Sequence, residues 1–210
     1  MGKRGFWDKL KKPIVGLAPM DGVTDFAFRH MLAKYGKPSI IFTEFVNVEG
    51  LARGAVKMLS AFIYEEKERP IVGQLFGVEV DSFYKSALML CALGFDGIDI
   101  NMGCPVNKIA KRGSGAGLIK TPEIAKKIIL TVKKAAEDFA NGAELKDVGV
   151  SDEMIKKIEE MNFGKGEFVR KIIPISVKTR IGYDKIVAEE WVKHLLEVKP
   201  ANITMHGRTL

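Results

Sequence analysis

Six short apolar runs punctuate the chain: IVGLA (14–18), SIIF (39–42), IVGQLF (71–76), GIDI (97–100), ISVK (175–178) and NITM (202–205). Each has strand length and is rich in β-branched residues. Between them the apolar positions recur at helical spacing. Ala27, Phe28, Met31, Leu32 and Tyr35 form one stripe, with Thr24 expected as N-cap and Gly36 as the stop. Val80, Phe83, Tyr84, Ala87, Leu88 and Cys91 form a second, and Val187, Trp191, Val192, Leu195 and Leu196 a third. Thr121-Pro122-Glu123 opens a helix with a cap, a first-turn proline and an acid.

Alternation of strand and helix predicts parallel βα units. About six strands fit either an open doubly wound sheet or part of an eight-stranded barrel. The first run ends in APMDGVTD and not in GxGxxG, which argues against a dinucleotide-binding half. The interval before the run at 175 is too long for a simple connection. Residues from about 141 to 170 are expected to be a surface insertion with one short helix after Ser151.

Nearly half of the 210 residues are apolar, enough for a substantial core. The start, MGKRGFWDKLKK, has no apolar segment of signal-peptide type, and no run is long enough to span a bilayer. A soluble, cytoplasmic monomer is expected. Cys91 and Cys104 lack the spacing of a disulfide framework or a zinc site. Cys91 falls on a helical stripe and reads as core. The formal charge of +7 suits an anionic partner such as RNA or a phosphate-bearing cofactor.

Side chains alternate along a strand, so polar residues can be assigned to faces. Asp99 shares a face with Asn101, Lys178 with Ser176 and Arg180, His206 with Thr204 and Arg208, and Gln74 with Val72. Polar groups thus gather at the C-terminal ends of four strands, where a βα barrel carries its active site. Taken singly, Gln74 could be a structural hydrogen bonder, Lys178 could pair with Asp99, and His206 could cap a loop. Their shared position favours a bound polar cofactor that satisfies them.

APMDGVTD (18–25), GQLFG (73–77), DGIDINMGCPVNKI (96–109), GSGAGL (113–118), VKTRIG (177–182) and HGRT (206–209) occur in this order in the tRNA-dihydrouridine synthases, which the chain resembles from about residue 13 onward. The insertion departs from the family's usual spacing. The resemblance implies a TIM (β/α)8 barrel carrying flavin mononucleotide (FMN), reduced by NADPH, which delivers hydride to C6 of a uridine in tRNA. It implies Cys104 as the proton donor to C5. An unperturbed thiol, with a pKa of about 8.5, is mostly protonated at neutral pH and can act as an acid. By the same matching, Pro19, Met20, Gln74, Lys178 and His206 are flavin contacts, and Asn101 is a uracil contact. Arg208 lies on the substrate or flavin side. Lys108, Lys111 and Arg112 meet RNA phosphates beside a mobile glycine-rich loop.

The sixth run is followed directly by HGRTL, so the 210 residues are expected to form one FMN-binding barrel domain truncated after about six βα units. The family's phosphate-binding loops follow the last two strands, and weak flavin retention and little or no synthase activity of these residues on their own are therefore expected. Two alternatives stay open. One is another FMN-dependent barrel acting on a small molecule, as dihydroorotate dehydrogenase does. The other is a non-catalytic remnant that binds tRNA.

Overall fold

A computed structural model describes residues 5–162 and 169–210. The end of the expected insertion, 163–168, and the first four residues lie outside the described part. The elements run β1 (Gly16–Leu17), α1 (Phe26–Tyr35), β2 (Ile40–Asn47), α2 (Val48–Ala52), β3 (Ile71–Phe76), α3 (Val80–Ala92), β4 (Gly97–Met102), α4 (Asn107–Ala110), α5 (Pro122–Ala140), α6 (Asp152–Asn162), β5 (Ile175–Arg180), α7 (Ala188–Glu197) and β6 (Asn202–His206). Every expected strand is present.

The sheet order is β1-β2-β3-β4-β5-β6, and every neighbouring pair is parallel. This order decides between the two closures. A doubly wound sheet reverses its strand order at a switch point; here there is no reversal. Right-handed crossovers between sequential strands place the helices on one face and curl the sheet toward a barrel. The helices form a continuous outer layer, in which α2 packs on α3, α3 on α5 and α5 on α7. The result is a six-stranded half-barrel of the TIM type.

Glycines fix which face is which. A Cβ on Gly73 would stand 2.8 Å from the Leu90 side chain of α3, so position 73 faces the helices and Gln74 faces the concave side. Ile98, Ile100 and Val177 face outward into the main core, while Asp99, Asn101, Ser176 and Lys178 face inward. The lower part of the concave face is apolar. Trp7 packs with Ile40, Phe42 and Val72, joined by Phe6 and Leu10. A 3-10 turn at Gly5–Lys9 carries Trp7 and plugs the N-terminal end of the barrel.

Two expectations about α1 are corrected. Its N-cap is Asp25, whose carboxylate accepts from the Phe28 N–H, and not Thr24. Its apolar stripe also faces outward: Phe28, Met31 and Tyr35 are exposed, and Arg29 and Ala33 are buried. Arg29 turns inward because it has a partner there. Its Nε lies 2.9 Å from Glu68 Oε2 with both side chains fully buried, and its Nη1 donates to the Thr24 carbonyl at 2.7 Å. A buried guanidinium is tolerated when paired and hydrogen-bonded in this way.

The insertion contains the expected helix, α6, but it is not a loose excursion. Leu145, Val150, Met154 and Ile158 enter the main core cluster. Asn162 Nδ2 donates to the Ala92 carbonyl at the end of α3, 2.7 Å away. No helix among the described residues is long and apolar enough to cross a membrane.

Candidate active site

Strand register brings Gln74, Asp99 and Ser176 side by side on the concave face, pairing Gln74 with Asp99 and Asp99 with Ser176. Two residues further along, toward the C-terminal ends, Asn101 pairs with Lys178 and Lys178 with Thr204. The polar side chains join into one network. Ser176 Oγ donates to Asp99 Oδ1 at 2.6 Å, and Gln74 Nε2 donates to Asp99 Oδ2 at 2.6 Å. Asn101 Nδ2 donates to Gln74 Oε1 at 3.0 Å. Asn101 Oδ1 then accepts the backbone N–H groups of Gly103 and Cys104, at 3.0 and 2.9 Å. Asp99 is fully buried, and burial pushes its carboxyl up to about 6 against the opposing pull of Ser176, Gln74 and Lys178.

Cys104 sits on the loop that this network holds. Its carbonyl accepts from the Ala116 N–H at 3.2 Å, and its side chain is buried. Burial raises the thiol above its ordinary range; the Val106 backbone N–H and Arg180 lower it, and Asp21 raises it. The thiol is therefore held in its protonated form more firmly than the sequence alone implied. The influence of Asp21 also places the loop after β1 within electrostatic reach of Cys104.

The glycine-rich segment answers to Cys104 as well. Gly115 has a left-handed φ of +56°, and a Cβ there would lie 2.9 Å from both the Cβ and the carbonyl oxygen of Cys104. A Cβ on Gly117 would lie 2.4 Å from the Ala110 carbonyl oxygen. These glycines let the chain fold closely over the cysteine loop. Within the glycine-rich segment, Gly115–Lys120 is a 3-10 turn with Gly115 through Ile119 buried.

The remaining candidates surround the mouth. Lys178 is half-buried, and desolvation lowers its pKa while Asp99 opposes the shift. Its ammonium has no hydrogen-bond partner recorded among the described residues. His206 and Arg208 are exposed at the end of β6. Desolvation, then Arg180, Lys178 and Arg208, lower the pKa of His206, which favours the neutral imidazole. Half-buried Pro19 and exposed Met20 follow β1 at the opposite edge of the sheet. Exposed Lys108 and Arg112 line a cavity of about 420 Å³ with Asn47, Arg53, Phe76 and Ser114, beside Glu49 and Glu79.

The structure joins Gln74, Asn101 and Cys104 directly, sets Lys178 beside Asn101, and leaves the other candidates around them. Gln74, expected as a flavin contact, has no exposed surface and bonds within the protein. Two further positioning residues, Arg180 and Thr24, were not among the site candidates. Arg180 donates to the carbonyls of Gly103 and Thr209, each at 2.7 Å, and so ties the cysteine loop to the segment after β6. Thr24 Oγ1 bonds both the N–H and the carbonyl of Met20. Arg180 shares a strand face with Lys178, and that shared face was the signal available for it.

The family model described as Dihydrouridine synthase (Dus) matches residues 16–159. The chain belongs to this family. Among its relatives is "Probable tRNA-dihydrouridine synthase" of Staphylococcus aureus (strain COL), 35% identical over 210 residues, which covers 99% of this chain and 53% of the relative. "Probable tRNA-dihydrouridine synthase 2" of Bacillus subtilis (strain 168) is 35% identical over 207 residues, or 97% of this chain and 53% of the relative. The chain thus spans about half the length of the curated relatives it matches.

The residues at the mouth of the half-barrel could hold a flavin. A half-buried lysine without a hydrogen-bond partner among the described residues calls for an anion or a polarised carbonyl. A neutral imidazole ends the adjoining strand and an exposed arginine follows it, and a methionine and a proline offer an apolar surface across the mouth.

Proposed function

We propose that this chain carries the catalytic residues of a flavin-dependent tRNA-dihydrouridine synthase, which acts on tRNA in the cytoplasm. FMN, reduced by NADPH, would supply the hydride that adds to C6 of uridine. Cys104 holds the proton destined for C5 at Sγ, and its raised pKa keeps that proton in place until the carbanion-like C5 develops. Lys178 would offer positive charge to the electron-rich edge of the cofactor, and His206 would donate or accept there as the neutral imidazole. Pro19 and Met20 would line the ring. Asn101, with its Oδ1 and one Nδ2 hydrogen engaged, retains a second Nδ2 hydrogen to donate to a uracil carbonyl. Gln74 supports Asn101 through its Oε1. Arg208, Lys108 and Arg112 would meet the anionic substrate.

The observation that carries this reading is the placement of a buried cysteine just after β4, one strand from Lys178. A tRNA lacking dihydrouridine, incubated with the chain, excess FMN and NADPH, tests it, with dihydrouridine measured by mass spectrometry. Formation of the product, reduced at least about a hundredfold by Cys104→Ala, is the expected result, given the effect typical of a positioned proton donor. Flavin reduction with turnover of a free small substrate and none of tRNA would establish the small-molecule reading instead.

A further inference from the structure

The polar network beneath Cys104 has a direction. Two backbone N–H groups, those of Gly103 and Cys104, converge on one side-chain atom of residue 101. Only an oxygen can receive both, so Asn101 must turn its Nδ2 toward Gln74. Gln74 must then present Oε1 to Asn101 and Nε2 to residue 99. Residue 99 must therefore accept, and a carboxylate is the side chain that can only accept. The register of β3 against β4 places these three side chains in contact, and all are buried. In a buried chain of amides a single wrong orientation opposes two donors or two oxygens, at the cost of an unmade hydrogen bond.

We infer that Asp99 is a positioning residue for Cys104. It fixes the orientation of the Gln74 and Asn101 amides, through which the loop bearing the thiol is held at the mouth. The inference rests on the proposed role of Cys104, but the geometry it describes can be tested without cofactor or tRNA.

The requirement is for an acceptor at position 99 and not for a charge. Asp99→Asn can accept from Gln74 through Oδ1 and donate to Ser176 Oγ, whose hydroxyl can turn to accept. Asp99→Leu has a similar shape and cannot accept. Asn101→Asp still accepts the two backbone N–H groups but sets an oxygen against Gln74 Oε1. Gln74 would then have to flip and oppose its own oxygen to the carboxylate of Asp99. The double change Asp99→Asn/Asn101→Asp removes that conflict by reversing the network. Asn at position 99 donates to Gln74 Oε1, and Gln74 Nε2 donates to the new carboxylate. The swap also keeps one carboxylate beside Lys178, because residue 101 is its register partner.

Iodoacetamide labelling of the 210-residue chain reads this directly, with Cys104 and Cys91 quantified in separate peptides by mass spectrometry. Cys91 is buried in the core, its thiol pushed up to about 12, and it reports global opening. Asp99→Leu and Asn101→Asp should speed Cys104 labelling at least tenfold and leave Cys91 unchanged. Asp99→Asn and the double swap should stay within about threefold of the parent chain, a factor set by the usual context dependence of a single hydrogen bond. Unchanged Cys104 labelling in Asp99→Leu overturns the inference, as does an equal rise at both cysteines. If Asp99→Leu does not fold, the comparison of Asn101→Asp with the double swap decides, and a swap no slower than the single change overturns it. Absence of dihydrouridine formation by the parent chain, in a set of variants whose labelling follows the expected pattern, would count against the proposed function and leave the network intact.

Discussion

Alanine at Gly115 should disturb the fold in two separable ways. The first is backbone: the left-handed φ of +56° costs an L-residue about 1–2 kcal/mol. The second is steric. The new Cβ would lie 2.9 Å from the Cys104 Cβ and carbonyl oxygen and 3.2 Å from its nitrogen, and backbone atoms cannot swing aside as a flexible side chain can. Forcing a methyl into such a site costs about 1–3 kcal/mol. The sum, about 2–5 kcal/mol, lowers a urea midpoint by about 0.7–1.7 M at an m-value of about 3 kcal/mol/M. Two further substitutions isolate the contributions. Gly22→Ala meets only the backbone cost, because φ is +71° and no heavy atom lies within 4 Å. Gly117→Ala meets only the steric cost, since a Cβ would stand 2.4 Å from the Ala110 carbonyl without a left-handed φ. Equilibrium urea unfolding of the three variants should place the Gly115→Ala and Gly117→Ala midpoints below that of Gly22→Ala. A Gly115→Ala midpoint no lower than that of Gly22→Ala would refute the close approach of residue 115 to the cysteine loop.

Arg29→Met should cost about 3–5 kcal/mol, because it strands the buried Glu68 carboxylate, and Arg29→Met/Glu68→Gln should recover part of that loss. Urea unfolding checks this, and a cost below about 1 kcal/mol for the single change, a surface-pair value, would count against a buried pair. The Asp99 carboxyl, raised from 3.8 to about 6 by burial, binds its proton more tightly in the folded chain. Its contribution to stability is full below pH about 4 and is lost as pH rises through about 6, on the order of 3 kcal/mol in total. The difference in unfolding free energy between the parent chain and Asp99→Asn should therefore fall over that window. A difference that rises would contradict the burial of the carboxyl. Cys91→Ala, at a core position without a polar role, should keep dihydrouridine formation under the conditions in which Cys104→Ala loses it.

The strands were legible because a run of β-branched residues has few other uses, and the helices because their apolar spacing is regular. The sequential order was not legible, since periodicity carries no information about which strands pair. The face of α1 was misread for a definite reason. Phe28, Met31 and Tyr35 have the spacing of a core stripe, whereas Arg29 turns inward toward Glu68, a partner 39 residues away. Cys104, Lys178 and Asn101 were recognisable from motif and face. The bonds joining Ser176, Asp99, Gln74 and Asn101 depend on register between three strands, which no local pattern encodes. The plug made by Trp7 was likewise hidden, because a short segment of mixed charge and aromatic residues has no period of its own.

The strand order also bears on how the chain is made. Among the described residues each strand from β2 to β6 pairs with the one synthesised just before it. During translation, at about 5–20 residues per second, the sheet can therefore lengthen at one border as each new strand leaves the ribosome. The Trp7 plug is already available when β2 and β3 arrive to receive it, so the floor of the half-barrel can close before the cysteine loop has been translated.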